Sequence, residues 1–150
     1  MEKQTKNQIL TVPLLLLLAL LVLLLAKLGF SYLNDQTVTI NDYRINTVTV
    51  DNSVDRAKGL SAKNKLANNE GMLFIFDTPD YYCFWMKDMK FSIDMIWLND
   101  QRKVVSIQEN VLPESYPKSF CPTQPAKYVL EVQAGKSKEW QISLGNQANF

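Results

Sequence analysis

Four charged side chains stand among residues that read as hydrophobic strands or as the end of a short helix. Asp94 lies inside Ile93-Asp94-Met95-Ile96-Trp97, and Glu131 inside Tyr128-Val129-Leu130-Glu131-Val132. Lys87 follows Phe84-Trp85-Met86, and Arg56 precedes the pair Gly59-Leu60. A charge in such company must be exposed, paired or perturbed in pKa. If Arg56, Lys87, Asp94 and Glu131 converge beside Trp85, they form a polar pocket whose lysine or acids can move a proton. If they do not, they are a part-buried ion-pair network that fixes strand register, or the wet ends of amphipathic strands. Two acids can hydrolyse a glycosidic bond when correctly spaced. The sequence leaves their separation open.

A second set is sulfur-based. Cys83-x-x-Met86-x-x-Met89 carries ligand types that suit copper(I). Strand alternation sends residues three apart to opposite faces, which favours methionines that fill a core and a cysteine that is bridged. No metal site and no cofactor are expected. Cys83 and Cys121 are the only cysteines. Outside the cytoplasm they are expected to form a disulfide worth about 3–4 kcal/mol, whereas in a reducing compartment they are ordinary thiols.

The third set is aromatic. Tyr82, Trp85 and Trp97, with Tyr81, Phe84 and the proline-rich stretch 112–125, suit a recognition surface for a sugar or peptide, and equally the core of a small sheet. Absences narrow the chemistry further. The chain has no histidine, so Ser-His-Asp and Cys-His catalysis and histidine-zinc sites are excluded. Neither a glycine-rich phosphate loop nor a nucleophile motif is present.

These residues must be positioned by a small domain. The N-terminus is a different material: the 18 residues 9–26 hold no charge, and residues 14–25 are almost all leucine. At about 1.5 Å per residue they span roughly 27 Å as a helix, close to a hydrocarbon core. Lys27, Phe30 and Tyr32 suit its outer interface. The run is longer than a signal-peptide core, and no small-residue cleavage site follows it. The expected organisation is a cytoplasmic N-terminus at 1–8, a transmembrane signal anchor at 9–30, a tether at 31–36 and a domain at 37–150. Lys3 and Lys6 place the domain outside the cytoplasm, with Lys27 weakening that bias. From Ser31 onward there are 13 basic and 14 acidic residues, the basic ones scattered, so a nucleic-acid partner is not expected.

Within the domain, 37–40 and 43–50 alternate β-branched and polar residues around Asn41-Asp42, which predicts a hairpin. A short helix is expected over 51–60, capped by Asp51 or Ser53 and ended near Gly59. Further strands are expected at 72–76, 82–87, 91–98, 103–111 and 128–132, with a turn at 77–80. The prolines put 112–125 in an ordered loop. A helical turn is expected within 135–141 and a closing strand within 142–150. The fold class is α+β, mostly β: a compact twisted antiparallel sheet or small barrel with one or two short helices, preceded by one transmembrane helix.

Several segments in register carry a family pattern. They are Asp55-Arg56-Ala57-Lys58-Gly59-Leu60, Glu70-Gly71-Met72-Leu73-Phe74-Ile75-Phe76, Phe84-Trp85-Met86-Lys87-Asp88-Met89, Ile93-Asp94-Met95-Ile96-Trp97-Leu98 and Tyr128-Val129-Leu130-Glu131-Val132-Gln133-Ala134-Gly135. Together they resemble the DUF192 (UPF0127) family over about residues 43–150. Asp55 stands where relatives usually have Glu, and Asp88-Met89 where they often have Asn-Thr. The resemblance implies a compact, mostly β domain that is often exported or anchored, and it implies no activity, cofactor or catalytic residue.

The function expected from the sequence is a non-enzymatic binding or accessory module at the outer face of the cell membrane. Its partners would be the membrane itself, through a single-pass anchor, and an envelope ligand or membrane protein. The alternatives are an envelope enzyme with Lys87, Asp94 or Glu131 as acid or base and, third, a copper(I)-handling protein.

Overall fold

The computed structural model describes residues 16–24 and 35–150. They fall in two units, Met1–Asn34 and Asp35–Phe150. In the first, helix α1 covers 16–24, and all nine of its residues are apolar and exposed. The remainder of the expected span, the 1–8 segment and most of the tether lie outside the described residues. Among the described residues no helix is long and apolar enough to cross a membrane.

The second unit is one curled, mixed sheet with a few short helices. Seven strands run in the order β6 (Val104–Val111), β5 (Ile93–Leu98), β8 (Ala126–Gln133), β3 (Glu70–Asp80), β2 (Tyr43–Val50), β1 (Asp35–Ile40) and β9 (Ala148–Asn149). The first hairpin joins β1 (Asp35–Ile40) to β2 (Tyr43–Val50), with Ile40 opposite Tyr43. Asn41 and Asp42 both take positive φ, 48° and 67°, as a two-residue hairpin turn requires. β1 takes in Asp35 and Gln36, which the sequence suggested were tether.

β2 is followed by helix α2 (Ser53–Lys58), capped by Asn52, whose side chain accepts from the Asp55 N–H. The cap is neither Asp51 nor Ser53. Asn52 also donates to the Asp55 carboxylate at 2.7 Å, so the two side chains close the first turn reciprocally. Gly59 ends the helix at φ 48°, and a 3-10 turn over Gly59–Ala62 follows.

The chain then enters β3 (Glu70–Asp80), which pairs with β2 in parallel. The expected all-antiparallel sheet is therefore mixed. The reason lies in the connection: 19 residues with a helix separate β2 from β3, long enough to cross over and re-enter in the same direction. β3 also runs past the predicted turn at 77–80, with an irregularity between Ile75 and Asp80.

Past β3, β4 is only Phe84–Trp85 and pairs with β7 (Ser119–Phe120) in a separate two-stranded ribbon. The expected strand at 82–87 is otherwise loop. β5 (Ile93–Leu98) lies between β6 (Val104–Val111) and β8 (Ala126–Gln133), and every residue of β5 is buried. Helix α3 (Lys136–Glu139) and β9 (Ala148–Asn149) complete the chain.

The C-terminal segment draws the sheet into a half-barrel. β9 pairs with β1, while Gln147 bridges to Lys103 and Ala148 donates to the Arg102 carbonyl, beside β6. The enclosed face holds Val38, Ile40, Leu73, Ile96, Leu130 and Trp140. The opposite face holds Met72, Phe74, Met95, Trp97 and Val129 under the α2 turn and the β4–β7 ribbon. Two-residue alternation along β8 assigns Leu130 and Val132 to the first face and Val129 and Glu131 to the second.

Candidate functional site

A pocket of about 320 Å³ opens on the second face, between α2, the β3–β8 floor and the loop from Tyr82 to Met89. Its floor is Phe74, Phe76 and Glu131. Glu131 stands opposite Met72 on β3 and Met95 on β5, so its flanks are thioethers and rings. It is 4% exposed. Burial pushes its carboxyl from an ordinary glutamate value up to about 8, and no charge or hydrogen bond offsets this. No side-chain oxygen or nitrogen among the described residues is both sealed from solvent and unpaired. The Glu131 carboxyl, without a hydrogen-bond partner among the described residues, is thus turned to the pocket.

Arg56, Lys58, Gly59, Leu60 and Ser61 form one wall. The Arg56 guanidinium donates to the carbonyls of Asp51 and Ile75, the latter at 2.9 Å, and lies 4.9 Å from the Phe76 ring centre. It ties α2 to β3 while its charge faces the pocket. Gly59 takes a positive φ of 48°, which favours glycine, while a Cβ there would make only ordinary contact with the Phe74 ring at 3.5 Å.

The opposite wall is aromatic. Tyr82 stacks on Phe76 at 3.5 Å between centroids and anchors its hydroxyl on the Thr78 carbonyl. Phe84 meets Phe74, Phe76 and Trp97 edge to face. Trp85 is 54% exposed and packs against Tyr116. The bond between Cys83 and Cys121 fixes this wall to the β7 segment. Lys87 and Met89 close the mouth.

Three of the four charged residues singled out from the sequence, Arg56, Lys87 and Glu131, therefore line one pocket with Trp85. Asp94 does not. Alternation along β5 turns it to the enclosed face, where it accepts from the N–H groups of Asn110, Gly135 and Ser137 and from the Ser137 hydroxyl, at 2.6–3.1 Å. It secures the start of α3 and the end of β6. No ion-pair network joins the four.

Among the three aromatics, Trp85 and Tyr82 line the pocket but Trp97 is 1% exposed, its indole N–H donating to the Tyr82 carbonyl at 2.9 Å. β5 is covered on both faces, which leaves no surface for it. The sulfur ligands are also dispersed. Cys83 is bridged, Met86 is buried in the core and Met89 edges the pocket. A copper site through Cys83 is thereby excluded while the bridge stands.

Lys58, Ser61, Phe74 and Phe76 also line the pocket and are not marked as site residues by the sequence, although Lys58, Phe74 and Phe76 sit inside segments that carry the family pattern; Met89 stands out there only as a sulfur ligand. Gly71, in the Glu70–Phe76 segment of the same pattern, lies close against β8. A Cβ there would lie 2.8 Å from the Glu131 carbonyl oxygen, so this glycine sets the approach of the strand that bears Glu131.

The sequence profile of DUF192, described as Uncharacterized ACR, matches residues 36–150. The chain belongs to the DUF192 family. This DUF192 domain is also similar to solved structures. One, a protein of unknown function from Novosphingobium aromaticivorans, is 26% identical with a TM-score of 0.74, over 77% of this chain and 85% of that one. Another, a candidate transcription regulator from Sinorhizobium meliloti, is 25% identical with a TM-score of 0.73, over 77% of this chain and 92% of that one. No curated protein matches.

Proposed function

We propose that this chain is a membrane-anchored, extracytoplasmic binding module whose DUF192 domain captures a small envelope ligand in the Glu131 pocket. The observation that carries the reading is the Glu131 carboxyl: largely buried, without a hydrogen-bond partner among the described residues, and turned into a pocket with one aromatic wall. A buried polar group with no partner is costly, and a ligand that satisfies it recovers that cost on binding. The pocket has the usual make-up of a ligand site, mostly apolar with a few convergent polar groups. It has no nucleophile with an adjacent base and only one carboxyl, which weighs against hydrolysis by paired acids.

The anchor rests on the uncharged run 9–26, and the outward orientation on Lys3, Lys6 and the disulfide. The test is a thermal-shift and NMR screen of the purified full-length chain in mild detergent against small polar and ring-bearing molecules. Binders that shift the signals of the pocket residues are expected. A library that leaves them all unmoved would sink the reading.

A second reading, an envelope enzyme with Glu131 as the acid and Lys87 beside it, draws on the same raised pKa. It requires turnover of a bound compound that Glu131→Gln abolishes while binding persists.

A further inference from the structure

We infer that the pocket is built for a small organic anion: a ring that bears a carboxylate toward Lys58 and Lys87 and a hydrogen-bond acceptor toward Glu131. The inference rests on the binding reading above and specifies its ligand.

Charge is the first argument. The lining carries three cations, Arg56, Lys58 and Lys87, against one carboxyl. Arg56 is committed to two backbone carbonyls and the face of Phe76. Lys58 and Lys87 are exposed, and neither makes an ion pair among the described residues. A cationic ligand would meet three like charges on its way in, whereas an anion is drawn to the mouth. Two ammonium groups that line the pocket without an ion pair among the described residues suit a carboxylate.

Shape is the second. Between mouth and floor the walls are Tyr82, Phe84 and Trp85 on one side and Leu60 on the other. An apolar ring fills that gap, and about 320 Å³ is at the small end of ligand pockets.

The floor is the third. Glu131 is flanked by Met72 and Met95 on the neighbouring strands. It shares the pocket lining with Arg56 and Lys58 from α2 and its end and with Tyr82 and Lys87 from the loop, none of which offsets its burial. No second carboxylate is among them, and the disulfide removes the Cys83 thiol. Below about pH 8 Glu131 carries its proton and can donate it in a hydrogen bond. Its ionisation deletes that donor and places a negative charge under the bound anion. Anion affinity should therefore fall as pH rises through the Glu131 pKa.

The test uses three probes of matched shape on the full-length chain: 4-hydroxybenzoate, the neutral 4-methylphenol and the cationic 4-hydroxybenzylamine. Kd is read by titration of the Trp85 indole NMR signal between pH 6 and 10. The benzoate is expected to bind at least about fivefold more tightly than the phenol, and the amine more weakly than either. Above pH 8 the benzoate affinity should fall more steeply in the natural chain than in Glu131→Gln, which keeps a donor but cannot ionise; the difference between the two separates Glu131 from ionisation of the probe's own phenol. Lys58→Met with Lys87→Met should bring the benzoate down to the level of the phenol; both lysines are exposed, so folding is not at stake. Tighter binding of the amine, or a benzoate affinity indifferent to the two lysines, overturns the inference and leaves the binding reading intact. Failure of all three probes overturns the inference, and failure of the wider screen as well overturns the binding reading.

Discussion

Glu131 and Asp94 occupy similar sequence surroundings and have opposite roles. Both are single acids in apolar strands, yet Asp94 accepts four hydrogen bonds and Glu131 accepts none from a described residue. The consequences are separable. Asp94→Ala would leave three backbone N–H groups without an acceptor. It should cost about 3 kcal/mol or more in urea unfolding, with ligand affinity unchanged in the fraction that remains folded. Glu131 should shape the pH profile instead. Its folded pKa is raised above the unfolded value, so the folded state holds the proton longer. Stability is full below about pH 4.5 and falls as pH rises to about 8, by roughly 1.4 kcal/mol per pH unit. Glu131→Gln is expected to flatten this slope, so that the variant gains in Tm over the natural chain at pH 8 and not at pH 4. A parallel slope in the two proteins would refute the assignment.

At the scale of elements, the aromatic wall of the pocket is the part least supported by the main sheet. β4 and β7 are two residues each and lie in a separate ribbon. The disulfide compensates. It closes a loop across 38 positions, which in the chain-entropy account is worth about 4 kcal/mol. Reduction, or Cys83→Ser with Cys121→Ser, should lower the denaturation midpoint accordingly. Hydrogen exchange should rise first in 82–89 and 117–121, with β3, β5 and β8 protected longest. Uniform loss of protection would show that the bridge does not hold this wall in particular.

At the scale of the whole molecule, the DUF192 domain follows the uncharged N-terminal run 9–26. A signal anchor predicts that alkaline phosphatase fused after Phe150 is active and that a fluorescent protein fused there, which does not mature outside the cytoplasm, is dark. It also predicts that the mature protein keeps residues 1–30. Cleavage near residue 30, or the reverse reporter pattern, would overturn the proposal.

Alternation, turn chemistry and glycine positions are local, and so were readable. They gave the Asn41-Asp42 hairpin, the helix ending at Gly59 and the strands around Asp94 and Glu131. They also picked out Arg56, Lys87, Glu131 and Trp85, because a charge or a large ring in an apolar segment is visible without a fold, although its exposure is not. Direction and partnership are not local. That β2 and β3 run in parallel depends on where the crossover re-enters. Whether an acid faces donors or an open pocket depends on which side of the sheet receives α3 and which receives the β4–β7 ribbon. The same alternation that hid Asp94 under α3 turned Glu131 toward the ribbon, and only the packed sheet distinguishes the two faces.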